Sequence, residues 1–325
     1  MPNTPTHLNF YDQVKLLAER KMVINNFDMA ASKLERIGYY KLKEAAYPLS
    51  KIENLDGNRI RVYTGVSFEQ VLTRYYQDKN LRIYLLHAIE EIEVSVKARL
   101  SYVLGKDSYG PFGYLEFKNW CNKNEYCKHY LSYKQNTFQY EMRKKTKRSR
   151  NHDIQNQNNL KSGLPSIWLA VDVLTFGNVI DLVSLMSKRN LRELSSYYDC
   201  DIDSFLSWLK CLHLVRNICA HNGNIIDLKL KTTPLVKEEW KDFLFQFNDG
   251  RYSNRIAIVI CIIKHFLLSI DPNYNYDRIF ASFNAIIDGS NDLANSVGFK
   301  TTQAITELMP KRKRTMSKKR YRKKK

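Results

Sequence analysis

The sequence predicts an all-α fold, because turn-forming residues are scarce and because apolar residues recur at helical spacing between residues that favour helix ends. The chain of 325 residues contains only 12 Gly and 8 Pro, about half of their usual joint frequency, so many short strands joined by tight turns are not expected. Hydrophobic residues make up 44% and charged residues 26%, which is typical of chains that fold around a packed core. The length permits one large domain or two of ordinary size.

Residues 1–66 predict an N-terminal helical cap that contains one small β-hairpin. Two short stretches, 8–21 and 28–36, have the apolar spacing of amphipathic helices. Residues 52–66 instead alternate between apolar and polar side chains around Asp56-Gly57, a pair that favours a tight turn. We therefore expect one hairpin here and no larger sheet.

The longest predicted element is a helix from Ser67 to Leu104. Ser67 and Gln70 have the spacing of a capping box, and Gly105 follows as a helix-ending residue. Glu93 lies at the edge of the apolar stripe of this helix, where a partly desolvated carboxylate needs a cation or hydrogen-bond donors nearby. The stripe consists of Leu85, Ile89, Ile92, Val96 and Leu100.

A polar segment, 143–163, interrupts the helical region that we assign to residues 67–300. Arg143–Arg150 carries six basic residues among eight and is followed by a stretch rich in Asn and Gln. This composition predicts an exposed insertion, which is either a solvated loop or a contact with nucleic acid. The RNA-contacting residues predicted here are Lys144, Lys145, Lys147, Arg148 and Arg150.

Three later helices are predicted. Pro165 is typical of a first helical position, and Asp201–Ser204 offers N-cap residues for a helix that ends near His221–Gly223. Residues 254–270 form a strongly apolar helix, but its uninterrupted apolar run is too short to cross a bilayer. We therefore expect this helix to be buried in the core, and we expect no membrane partner.

The chain carries a formal net charge of +19, concentrated at the C-terminus. Residues 311–325 contain eleven Lys or Arg and no acid, and the rest of the chain retains 41 basic against 33 acidic side chains, or +8. This distribution predicts a polyanionic partner, and nucleic acid fits better than a membrane because the tail has no apolar face. We assign 301–325 as a basic disordered tail. Its predicted RNA-contacting residues are Lys311, Arg312, Lys313, Arg314, Lys318, Lys319 and Arg320.

The cysteine pattern and the N-terminus predict a cytoplasmic protein. Six cysteines, several at apolar helical positions, suit a reducing compartment better than a disulfide framework. The first residues lack the hydrophobic core of a signal peptide. Cys121, Cys127 and His129 have no second convincing pair of metal ligands, and no Walker or dinucleotide-binding glycine pattern occurs. We therefore expect neither a metal nor a cofactor.

Arg216 and His221 are the two residues of the chain best suited to catalysis. On one continuous helix these side chains would point about 140° apart. Unwinding of the last turn before Asn222-Gly223 would bring the imidazole toward the guanidinium, and such a pair suits RNA cleavage through the 2′-hydroxyl without a metal. The alternative is that both residues only offset the helix dipole and cap free carbonyl groups.

Five sequence blocks resemble those of one protein family. Leu209–Asn222, LKCLHLVRNICAHN, is similar to the R-N-x-x-x-H signature of HEPN-superfamily nucleases as it appears in Abi-like abortive-infection proteins of the AbiD/AbiF type. Ile37–Leu42 resembles the family's I-x-Y-Y-R-L block, with Lys41 in place of the usual Arg. The other similar blocks are Asp78 with Leu81-Arg82 and Ala88–Val94, Gly110–Phe112, and Leu164–Trp168 with Phe176-Gly177.

The resemblance implies an HEPN-like helical bundle behind the N-terminal cap, in a bacterial protein that defends against phage as a toxin acting on RNA. Two activities are compatible with it. The first is a metal-independent endoribonuclease. The second is a catalytically silent RNA-binding module that is bound to, or guided by, a small non-coding RNA.

The resemblance also implies roles for individual residues. In an enzyme, His221 is the general acid or base, Arg216 stabilises the charge that builds on the phosphate, and Asn217 orients the pair or the scissile phosphate. Glu93 is the expected acidic partner of Arg216, within the site or as a structural salt bridge. Because cleavage requires an acid and a base and the chain has one R-N-x-x-x-H motif, a homodimer with a composite active site is expected to supply the second histidine.

Overall fold

Helices form most of the chain in the computed structural model, which describes residues 6–55 and 58–309. The sheets within these ranges are two small antiparallel pairs of strands. The predicted all-α fold is therefore confirmed, including the single hairpin expected near the N-terminus. The predicted hairpin turn at Asp56-Gly57 lies outside the described residues.

The N-terminal elements have an apolar cluster of their own. Leu17 and Leu34 are buried in it, together with Phe68 at the start of the following helix. The hairpin pairs Lys51 with Val62. The elements are α1 (Phe10–Glu19), α2 (Phe27–Ile37), α3 (Tyr39–Ala46), β1 (Lys51–Leu55) and β2 (Asn58–Val62).

Helix α4 (Phe68–Leu104) is the long helix predicted from the sequence. The Ser67 hydroxyl accepts a hydrogen bond from the backbone N–H of Gln70, and the Gln70 side chain accepts one from the backbone N–H of Ser67. This is the predicted capping box, and the helix ends at Gly105 as expected. Every member of the predicted apolar stripe is fully buried.

The middle of the chain forms six α-helices and the second strand pair in its described residues. The elements are α5 (Phe117–Trp120), α6 (Lys128–Arg148), α7 (His152–Gln155), β3 (Leu160–Lys161), β4 (Leu164–Pro165), α8 (Ile167–Val173), α9 (Phe176–Leu185) and α10 (Lys188–Ser196).

The composition predicted an exposed insertion that begins at Arg143. The first part of this basic segment is instead helical. Helix α6 continues through it to Arg148, and the polar segment with short elements begins after that residue. Met142 and Thr146 are buried on the inner face of α6 and hold its end against the fold. Lys and Arg are good helix formers, and positive charge at a helix C-terminus interacts favourably with the helix dipole.

The C-terminal part packs its helices around α4. Helices α8, α11, α12 and α13 all contact α4, and α12 is buried along most of its length, as expected for its apolar sequence. No helix among the described residues combines the length and apolar character needed to cross a membrane. The elements are α11 (Ile202–Ala220), α12 (Ile256–Ile270), α13 (Asp277–Ile287), α14 (Asn291–Val297) and α15 (Thr302–Leu308).

His265 on α12 predicts a pH dependence of stability. Its Nε2–H donates to the backbone carbonyl of Tyr198 at 2.7 Å, and its ring packs against Trp208. Burial lowers the pKa of His265 below its ordinary value of 6.5, and the Lys237 charge adds to this shift. Below pH 6.5 the unfolded chain therefore binds more protons than the folded chain. The free energy of unfolding should decrease as the pH is lowered, by up to about 1.4 kcal/mol per pH unit.

Urea unfolding of the wild type and of His265→Gln at pH 7.5, 6.5 and 5.5 measures this contribution. Glutamine retains a donor for the Tyr198 carbonyl but does not titrate in this range. We expect the wild type to lose more stability than the variant between pH 6.5 and 5.5. Equal losses would remove His265 as the cause.

Candidate functional site

The candidate site lies where helix α11 ends, as predicted. His221 is the C-cap residue, and Asn222 follows with a left-handed backbone at φ +59°. The N–H of Gly223 donates to the carbonyl of Ile218 at 2.8 Å, and the N–H of Asn222 donates to that of Cys219 at 3.3 Å. This pair of bonds is a Schellman motif, with Asn in the position more often occupied by Gly. The helix therefore stops abruptly, directly after the residue with catalytic potential.

A buried ion pair on α4 holds the chain that follows His221. Arg82 Nε donates to Asp78 Oδ2 at 2.8 Å, and both side chains are buried. Arg82 Nη1 donates to Asn222 Oδ1 at 3.0 Å. Asp78 Oδ1 accepts hydrogen bonds from the backbone N–H groups of Ile225 and Ile226, at 2.7 and 3.0 Å. We call Asp78 and Arg82 the α4 clamp, because together they fix the segment after His221 on both sides of the turn.

The His221 side chain itself is exposed. Within the described part of the chain, its ring makes no hydrogen bond or ion pair, and no hydrogen bond joins it to Arg216. The last turn of α11 thus leaves the imidazole nitrogens accessible while its backbone is held by the α4 clamp. The predicted approach of His221 to the guanidinium is not present as a direct contact.

Arg216 belongs instead to a polar cluster between α4 and α11. Its Nε lies 3.6 Å from Glu93 Oε2, and its Nη1 donates to Asn217 Oδ1 at 3.4 Å. Glu93 is almost fully buried, and its other oxygen pairs with Lys97 Nζ at 2.8 Å. The Arg216 side chain remains 37% exposed. We call Glu93, Lys97, His213, Arg216 and Asn217 the polar cluster.

Two members of this cluster, Lys97 and His213, were not predicted as site residues from the sequence. His213 is half-buried, and its Nε2 lies 3.1 Å from Asn217 Nδ2. Its ring packs edge-on against Phe176, and the backbone at Gly177 is so close that a β-carbon there would lie 3.1 Å from Nε2. The i, i+4 spacing of His213 and Asn217 was the signal available in the sequence.

The basic end of α6 approaches the polar cluster through Lys145. Its ammonium donates to Asn178 Oδ1 in the capping turn of α9. Burial lowers the pKa of Lys145; the Glu141 carboxylate opposes this shift, and the charge of Lys97 adds to it. Lys97, a member of the polar cluster, is therefore one of the charges that act on Lys145.

The other predicted RNA-contacting residues divide into two groups. Lys144, Lys147, Arg148 and Arg150 are exposed, and Lys144 lies over the Tyr140 ring at 4.1 Å. The tail residues lie outside the described part of the chain. These are Lys311, Arg312, Lys313, Arg314, Lys318, Lys319 and Arg320.

The arrangement supplies an accessible imidazole and a partly exposed guanidinium, with Lys97 in the polar cluster. An imidazole can move protons near neutral pH, and a guanidinium can donate two hydrogen bonds to a phosphate. Within the described residues, no group of three or more His, Cys, Asp or Glu side chains is placed to hold a metal ion. The exposed imidazole and the partly exposed guanidinium are chemically suited to acid–base chemistry beside a bound anion.

Asn222 provides a test of how the end of α11 is held. Asn222→Gly should keep the left-handed backbone and lose only the bond from Arg82, whereas Asn222→Ala should lose both. We expect the alanine variant to be less stable than the glycine variant by about 1 kcal/mol, the cost of a β-carbon in this conformation. Urea unfolding of both variants measures the difference, and equal stabilities would contradict this account of the turn.

These features define an all-helical protein in which one long helix positions a histidine-bearing helix end. The chain belongs to the Abi-like protein family, whose model matches residues 32–227. The match extends from α2 past the end of α11 and includes the α4 clamp, the polar cluster and His221. Family membership indicates a role in abortive infection, a form of phage defence. Comparisons with curated proteins and with solved structures gave no significant match.

Proposed function

We propose that this chain is an HEPN-type, metal-independent endoribonuclease that halts infected cells by cutting RNA. One observation carries the proposal: the α4 clamp holds the backbone beyond His221, while the imidazole stays exposed and without a partner in the described residues. A histidine that only capped a helix would be expected to engage the free carbonyl groups. Here the backbone bonds of the Schellman motif already serve two of them.

Each proposed role is based on a contact made by the side chain or on its exposure to solvent. His221 removes the proton of the 2′-hydroxyl or protonates the departing 5′-oxygen. Arg216 stabilises the negative charge on the in-line phosphate through its exposed part. Glu93 holds the guanidinium by its ion pair with Nε, and Asn217 orients it by accepting the 3.4 Å hydrogen bond from Nη1.

The second proton-transfer group has two possible sources under this proposal. A homodimer would bring a second His221 to a composite site, consistent with one R-N-x-x-x-H motif in each chain. His213 is the alternative source, because it lies in the polar cluster of the same chain. Light scattering at the assay concentration separates these sources, since a monomer with activity linear in concentration excludes the dimer.

The proposal is tested by incubating the purified chain with RNA in the presence of EDTA. We expect cleavage with 2′,3′-cyclic phosphate ends, because the attacking group is the 2′-hydroxyl of the RNA. RNA with 2′-O-methyl groups throughout is the matched control and should remain intact. No cleavage of ordinary RNA, or equal cleavage of both substrates, would reject the mechanism.

A catalytically silent RNA-binding module is the second candidate. It is favoured by the pairing of Arg216 with Glu93 and by the lack of a bond from Arg216 to His221 in the described residues. Such a module would be bound to, or guided by, a small non-coding RNA. Sequencing of RNA that co-purifies with the protein distinguishes the two candidates: one abundant intact species supports the module, and heterogeneous fragments support the nuclease.

A further inference from the structure

A cavity outside the polar cluster lies between helices α6 and α9. Its volume is about 170 Å³, smaller than the roughly 300 Å³ at which drug-sized pockets begin. We call it the α6–α9 pocket. Its apolar lining includes Tyr130 and Phe138 from the α6 side and Leu174 and Leu182 from the α9 side. A space of this size with aromatic and aliphatic walls suits one planar ring system.

The polar groups of the α6–α9 pocket lie among these apolar walls. Lys145 and Asn178 both line the pocket and are bonded to each other. Glu141 and Asp181 also line it and supply carboxylate acceptors, and Thr137 supplies a hydroxyl. Nucleobases present ring nitrogens, amino groups and carbonyl oxygens at their edges, so donors and acceptors beside a flat apolar space match them.

The position of the pocket links it to the candidate site. Asn178 is in the first turn of α9, one residue after Gly177, whose backbone packs against His213 of the polar cluster. On α6, Lys145 is followed by the exposed basic residues Lys147 and Arg148 at the end of the helix. A strand that contacts both the polar cluster and the basic end of α6 would therefore pass beside the pocket.

We infer that the α6–α9 pocket binds one unpaired nucleobase of a single-stranded RNA whose backbone lies along the polar cluster and the end of α6. This inference rests on the proposed function, because it requires RNA at that cluster. It adds that the ligand is single-stranded, since a base held in a duplex stack cannot enter the pocket. Lys145 and Asn178 recognise the edge of the base.

The test compares two probes that cannot be cut through a 2′-hydroxyl. One is a short single-stranded 2′-O-methyl oligonucleotide, and the other has the same backbone without bases. We expect the wild type to bind the base-containing probe about tenfold more tightly, the lower part of the range for stacking of one base on an aromatic side chain. Fluorescence anisotropy measures both affinities.

Two matched pairs of variants on α6 locate the effect. Tyr130→Ala removes an aromatic wall, and Tyr133→Ala removes a more exposed tyrosine that does not line the pocket. Thr137→Trp fills the pocket, and Asn136→Trp adds the same bulk on an exposed position outside it. Tyr130→Ala and Thr137→Trp should lose the preference for bases, and their controls should keep it. Circular dichroism and thermal unfolding verify that all four variants are folded.

The outcomes separate this inference from the proposed nuclease. A base preference that depends on the pocket, in a protein that does not cleave RNA, supports the pocket and rejects the nuclease. Equal affinity of the wild type for both probes, or equal losses in the variants and their controls, overturns the pocket. Binding of neither probe overturns it as well. Saturable binding of free nucleoside monophosphates that the oligonucleotide does not displace also overturns it, by assigning the pocket to a free nucleotide.

Discussion

Replacing His221 by alanine is expected to lower the rate of RNA cleavage by about 10²- to 10⁴-fold, the usual contribution of a positioned general acid or base. The physical reason is that, among the described residues, His221 is the histidine held at the end of α11, and its ring nitrogens are accessible. The measurement is the initial rate of formation of 2′,3′-cyclic phosphate ends under EDTA.

The loss of cleavage activity should not be accompanied by unfolding. In the described structure the exposed His221 ring makes no hydrogen bond that the variant would remove. Unfolding of His221→Ala in urea should therefore match the wild type within about 0.5 kcal/mol, as is usual for surface substitutions. His129→Ala is the matched control, since His129 is also exposed but lies at the start of α6. Cleavage that persists in His221→Ala would contradict its role.

Replacing Asp78 by alanine is expected to cost about 3–5 kcal/mol of folding free energy, the range for removing one member of a buried ion pair. Arg82 would stay buried without its carboxylate, and the N–H groups of Ile225 and Ile226 would lose their acceptor. Urea unfolding measures the change. Asp242→Ala, at an exposed position, is the matched control and should be nearly neutral.

The α4 clamp also predicts an effect on activity that differs from simple unfolding. Asp78→Asn keeps an oxygen for one backbone N–H but loses the charge that pairs with Arg82. We expect this variant to be folded at low temperature and to cleave RNA more slowly, because the turn after His221 is no longer held from both sides. Full activity in a folded Asp78→Asn would show that the clamp serves stability alone.

The sequence by itself determined the class of fold and the limits of α4 and α11, whereas the helix expected to begin at Pro165 begins at Ile167 because Leu164–Pro165 pairs with β3. The capping box of Ser67 with Gln70, the Gly105 stop and the N-cap of Asp201 are local interactions, so the residues that make them are neighbours in the chain. The hairpin and the end of α11 at Asn222-Gly223 are local in the same sense. For this reason these elements could be predicted without knowledge of packing.

The extent of α6 was less predictable, because its composition favours both a helix and a solvated loop. Burial of Met142 and Thr146 decides between them, and burial depends on what lies opposite. Lys145 illustrates the same point. Its bond to Asn178 spans 33 residues of sequence, so the charge run alone could not distinguish Lys145 from its exposed neighbours.

The tertiary structure alone decided how the candidate site is built. Asp78 contacts Ile225 across 147 residues of sequence, and Glu93 on α4 reaches Arg216 on α11. Periodicity placed Glu93 at the edge of the apolar face but did not identify Arg216 as its partner. That pairing was expected only after the family resemblance had been recognised. His213 could not be assigned to the site from the sequence, because its partners include Gly177 of another helix. A helical pattern specifies which face is buried, but only packing specifies which residues of distant helices meet there.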